Sequence, residues 1–151
     1  MSGQMIEKRR GSRARGGNAL IDLMFVLPIL LGLSFGVVEY GYFMFVKHTV
    51  EAAAREGARA ATVPAATSQD VTDAVANVMT AAGLSKTGYA VLTTDTSGTA
   101  LNVNTVAAGS SIKVTVQCTW GSVGVHPLPE VLGGMSPTKL VRGATVMRKE
   151  G

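Results

Sequence analysis

Few residues in this 151-residue chain have the chemistry of an active site. One cysteine, Cys118, and two histidines, His48 and His126, are too few and too scattered for a metal-ligand pattern. No spacing rule assembles a nucleophile, a base and an orienting acid. The expectation is therefore no catalytic residue, no metal ligand, no cofactor and no small-molecule substrate. Cys118 reads as a buried small hydrophobe or, alternatively, as one half of an intermolecular disulfide. His126, between a valine and a proline, reads as a surface histidine. The residue whose position does demand chemistry is Asp22, within RGGNALIDLMFVLPILLG (15–32), a stretch that is otherwise almost entirely apolar beyond its first few residues. A charge at the centre of a lipid-spanning helix costs about 2.5–3.5 kcal/mol, less near an interface, and persists mainly when paired. Asp22 is either an interfacial acid capping its own helix or a carboxylate whose partner lies on another chain.

The element that carries Asp22 is an apolar run from about Ala19 to Val38, close to the roughly 20 residues that cross a ~30 Å hydrocarbon core. Its length and uniformity argue against a buried core helix. A cleaved secretory signal has an apolar region of about 7–15 residues closed by an A-x-A-like site, and neither feature is present. A retained transmembrane anchor is the expectation. Lys8, Arg9, Arg10, Arg13 and Arg15 precede the run against a single acid, Glu7, which holds that end in the cytoplasm by the positive-inside rule and sends the remainder across the membrane. The net charge of +4 belongs to this leader, because nine basic and nine acidic residues remain without it. With few aromatics, most of them between Phe25 and Phe45, a nucleic-acid surface is excluded.

The helical pattern outlasts the membrane. Phe43, Val46, Val50, Ala53, Ala54, Gly57, Ala58 and Ala61 recur at three- and four-residue steps. Glu51 and Arg55 are spaced as a surface pair, and Pro64 ends the pattern. Glu39, Tyr40 and Tyr42 fall at the membrane interface, the tyrosines as an aromatic belt. Pro28 should kink the lipid-embedded half. Gly32 and Gly36 form a small-xxx-small pair that admits close helix packing, or are ordinary membrane-helix glycines. A second helix is expected over 69–82, capped by Thr67 or Ser68, with Val71, Val75, Val78 and Ala82 on its apolar face.

Beyond Gly88 the period changes to that of strands. The clearest is 112–120, burying Cys118 and Trp120, with weaker candidates at 89–94, 101–106 and 140–149. Turns are expected at Ser97-Gly98 and at 108–110. Gly121 to Pro137, with three prolines and four glycines, reads as a long loop with a turn of helix near 130–132. The fold class is α+β: a long N-terminal helix as a spine, a short second helix and a small antiparallel sheet of about four strands. The expected organisation is a cytoplasmic leader (1–17), a transmembrane helix (18–39), its extracytoplasmic extension (40–63) and a small α+β periplasmic domain (64–151).

The order of basic residues, Gly17, Asn18-Ala19-Leu20-Ile21-Asp22 and an apolar helix resembles the signal sequence of type IV pilins. Further along, VLP (26–28), Phe35-Gly36 followed by Glu39-Tyr40, and AAREGAR (53–59) resemble the N-terminal half of TadE-like pseudopilins of the tight-adherence (Tad) system. The strand around 114–116, the proline-rich loop and the closing Ala144-Thr145-Val146-Met147-Arg148 are similar more loosely. The resemblance implies a pilin-like fold and cleavage between Gly17 and Asn18 by a prepilin peptidase, which makes Asp22 the fifth residue of the mature chain. Pilins usually carry Glu there. It also implies partners among other pilins and pseudopilins and the inner-membrane Tad platform proteins, alongside the lipid bilayer. A carboxylate at that position would face the new α-amine of a neighbouring subunit. Asp is one methylene shorter than Glu, which points to a minor, priming component. Two other readings are an uncleaved single-pass anchor carrying a periplasmic binding domain and a membrane-anchored enzyme using Cys118.

Overall fold

The computed structural model describes residues 16–123, 128–130 and 133–151, with side chains from residue 20 onward. The basic leader up to Arg15, His126 and residues 131 and 132 of the turn expected near 130–132 lie outside the described residues.

Helix α1 (Gly16–Thr62) is continuous over 47 residues, through Pro28, about 70 Å at 1.5 Å per residue. Its two halves obey different rules. From Leu20 to Val38 the apolar side chains are exposed, and the most apolar window has none of its residues buried. The segment is long and apolar enough to cross a membrane. From Val46 the expected stripe is buried without exception: Val46, Val50, Ala53, Ala54, Gly57, Ala58 and Ala61.

Helix α2 (Ser68–Ala81) begins at a capping box. The Thr67 hydroxyl accepts from the Asp70 N–H, and the Asp70 carboxylate accepts from the Thr67 N–H at 2.8 Å. It ends in a Schellman pair, Gly83 N–H to Thr80 C=O and Leu84 N–H to Met79 C=O, with Gly83 at φ +74°. Its buried face is Val71, Val75 and Met79, with Val78 and Ala82 packed at the side. The face is thus turned toward Met79 relative to the expected one.

Hydrogen bonds from the Thr67 hydroxyl and N–H hold the Asp70 carboxyl below its ordinary value. A depressed carboxylate stabilises the fold above the unfolded-state pKa of about 3.9 and loses that contribution as pH falls through the lowered value. Thr67→Ala is expected to cost about 1 kcal/mol at pH 7 and clearly less near pH 2, measured by denaturant titration at the two pH values. An equal cost at both would remove Asp70 from the account.

The sheet is an antiparallel meander in the order β1-β2-β3, formed by β1 (Ala90–Thr94), β2 (Ser111–Thr119) and β3 (Leu140–Arg148). Ala90 pairs with Gln117, and Ser111 with Arg148. The alternation in β2 turns Ile112, Val114, Val116 and Cys118 onto the helices. Three strands are present among the described residues rather than four. The segment 101–106 forms a 3-10 turn (Val103–Thr105), because Asn102 Oδ1 accepts from the Asn104 N–H and replaces a ladder bond. Asn104 Oδ1 then accepts from the Ser68 N–H, tying this turn to the start of α2. The expected Glu51–Arg55 pair is present at 3.9 Å, and Lys47 Nζ stands closer to Glu51, at 2.8 Å.

Helix and sheet meet at glycines. A Cβ on Gly57 would lie 2.7 Å from Val75 Cγ2 and 3.3 Å from Val114 Cγ1, so α1, α2 and β2 close on a position without a side chain. The AAREGAR motif is therefore the face on which the helix lies against its own domain. The chain ends against the start of the core: the Glu150 N–H bonds Thr62 C=O, and the buried Lys149 ammonium donates to Val103 C=O at 2.8 Å.

Candidate functional site

The expected site residues all lie on α1, on two separate stretches. Gly17 and Asn18 are in its first turns by backbone. Asp22 is exposed and makes no hydrogen bond or ion pair with any described residue. Its intrachain capping role finds no support, because the helix begins six residues earlier, at Gly16. Gly32 is open, with no atom within 4 Å of an added Cβ.

Near the end of the apolar half, the helix meets the rest of its chain. Leu128 Cδ1 would stand 3.8 Å from a Cβ on Gly36. Glu39 is only 3% exposed, and its Oε1 accepts from the Met135 N–H at 2.8 Å across 96 residues of sequence. Its Oε2 is buried without a hydrogen-bond partner among the described residues, an arrangement that costs free energy whichever protonation state it takes. Glu39 thus holds the loop after β2 against the helix and is covered by that loop at the level assigned to the membrane surface.

One turn further, aromatic rings close the membrane-side end of the core. Phe43 meets Trp120 edge-on at 5.5 Å between centroids, and Tyr42 lies 6.0 Å from Trp120 and 5.8 Å from Phe45. Lys139 Nζ sits 4.7 Å from the centre of the Phe43 ring. Tyr40, in contrast, points outward and is 60% exposed. Sequence reasoning placed Trp120 in the core. It missed the attachment of Leu128, Met135 and Lys139 to α1, for which no local signal exists beyond the run of prolines and glycines.

Elsewhere the chemistry is sparse. Cys118 is a free thiol, 3% exposed, and burial pushes its pKa up, away from the reactive thiolate. Among the described residues no group of three or more His, Cys, Asp or Glu could hold a metal. His48 is exposed, with Nδ1 3.8 Å from Glu51.

An exposed apolar half-helix bearing one acid, continued by a half that packs on a three-stranded sheet, defines a class: an α+β domain carried on a single helix able to anchor it in a membrane. A comparison with known families is more specific. Residues 17–59 match the family model of TadE-like proteins, a span that begins at Gly17 and ends at the last residue of AAREGAR. No curated protein and no solved structure matches the chain. The match and the apolar helix together fit a membrane protein related to Tad pili.

Proposed function

We propose that the chain is a TadE-like minor pseudopilin that acts in the biogenesis of Tad-type adhesive pili by packing and carries out no reaction. The N-terminal half of α1 is its inner-membrane anchor, the basic leader stays in the cytoplasm, and the α+β domain stands on the extracytoplasmic side. A prepilin peptidase removes the leader after Gly17. Asp22 then pairs with the α-amine of Asn18 on a neighbouring pilin or pseudopilin, and the inner-membrane platform of the Tad system receives the subunit.

The observation that carries this reading is the register of Asp22. It is an exposed carboxylate, without an ion pair among the described residues, on a helix long and apolar enough to cross a membrane, five residues into the chain that cleavage after Gly17 would leave, and the family match begins at Gly17 itself. An ion pair within the chain would remove the need for an outside partner, and Asp22 forms none among the described residues. The test is mass spectrometry of the protein from its native membrane. The expected mature N-terminus is Asn18, and Gly17→Phe should leave essentially all of the protein as full-length precursor. A native protein that keeps residues 1–17 would overturn processing and leave an uncleaved single-pass anchor as the better description.

A further inference from the structure

An open groove of about 560 Å³ runs along α1, lined by Gly32, Leu33, Gly36, Val37 and Tyr40 and walled on the other side by Leu128. Gly36 stands two residues inside the outer end of the apolar run, about 3 Å at 1.5 Å per residue. Leu128, which touches it, therefore reaches the level of the hydrocarbon boundary. Going outward, the groove gives way to Tyr40, then to Phe43 with Lys139 above it. The Lys139 side chain is exposed, touches Met135 Sδ at 3.8 Å and has no carboxylate within 4 Å among the described residues. From lipid depth to surface, the order is an apolar groove, an exposed tyrosine and an uncompensated ammonium.

We propose that this face holds a phospholipid of the outer leaflet, its acyl chain in the groove between α1 and Leu128 and its phosphate at Lys139. The inference rests on the reading of α1 as a membrane anchor. A lipid is favoured over a second helix by charge and by depth. Phosphate supplies the anion that Lys139 lacks among the described residues, at the height where head groups lie, and the ammonium held over the Phe43 ring stands at that height. The domain then stands on the leaflet, with Leu128 as its point of contact, and is not held clear of the membrane by the helix.

The test uses the full chain in vesicles of phosphatidylethanolamine and phosphatidylglycerol, with and without phospholipid brominated on its acyl chains. Single cysteines at Leu30, Leu128 or Ala107, in a Cys118→Ala background, carry a small fluorophore. Bromine is expected to quench the labels at Leu30 and Leu128 at least twofold and to leave that at Ala107 unchanged. A quenched Leu30 with an unquenched Leu128 overturns the lipid face, whereas an unquenched Leu30 overturns the anchor itself. Quenching at Leu128 that disappears as protein is concentrated in the vesicle identifies a second copy as the occupant and also overturns the proposal. An independent arm keeps Cys118: mass spectrometry of the intact protein released from mild detergent should find co-purified phospholipid reduced about tenfold by Lys139→Glu. Equal retention by the two proteins counts against the phosphate contact.

Discussion

Gly143→Ala is expected to destabilise the α+β domain by about 3 kcal/mol, near the upper end of what overpacking costs. A Cβ at Gly143 would stand 2.7 Å from Glu51 Cα, from Glu51 N and from Val50 C, so the obstacle is the backbone of α1. A side chain can rotate out of such a clash, but a helix backbone held by its own hydrogen bonds cannot. The sheet must instead move away from α1, and the surface that loses contact is the one formed by Val46, Val50, Ala53 and Ala54, all fully buried. Gly57→Ala is the informative comparison. Its closest atom, Val75 Cγ2 at 2.7 Å, is the end of a side chain, and alanine recovers up to about 1 kcal/mol of helix propensity. Gly57→Ala should therefore cost clearly less than Gly143→Ala. Denaturant unfolding of the full chain in detergent, followed by the fluorescence of its single tryptophan, Trp120, reads both. Gly143→Ala unfolding at the wild-type midpoint would show that helix and sheet are not in contact there.

Asp22→Ala is expected to leave processing intact and to weaken association with neighbouring pilins on the order of 100-fold. Under the proposed function, cleavage after Gly17 creates the partner of Asp22. A free α-amine at Asn18 in or near the apolar zone carries a charge worth about 2.5–3.5 kcal/mol in lipid when unpaired, and 1.4 kcal/mol is a factor of ten in an equilibrium constant. Removing the carboxylate leaves that amine without its partner. Asp22→Glu should retain or strengthen the association, since it lengthens the reach by one methylene while keeping the charge. Co-purification of differently tagged subunits from membranes measures the effect. Asp22→Ala co-purifying at the wild-type level would remove the intersubunit pair from the proposed function.

Elements with a strong local period were legible in the chain. The stripe from Val46 to Ala61 and the alternation from Ile112 to Cys118 put every inward residue where the structure has it, because one face of each element must leave water. An N-cap at Thr67 or Ser68, of which the structure takes Thr67, and the glycine after α2 were legible for the same local reason. The segment 101–106 misled because its apolar positions alternate like a strand, while the asparagine side chains between them bond the backbone and each other's neighbours. Met79 was missed on α2 because the helix face is chosen by what it packs on, and Val71, Val75 and Met79 form the row that meets α1 and the sheet.

The candidate site divides along the same line. By itself, the sequence determined that one half of the long helix is apolar and that a lone acid stands within it, since these depend only on residue type and order. Tertiary structure alone decided that Glu39 is buried and bonds Met135, 96 residues away, that Leu128 walls a groove at Gly36, and that Gly143 admits the backbone of α1. Each is a close approach between segments far apart in sequence. A glycine or a glutamate carries no local sign of which distant backbone will come to lie against it.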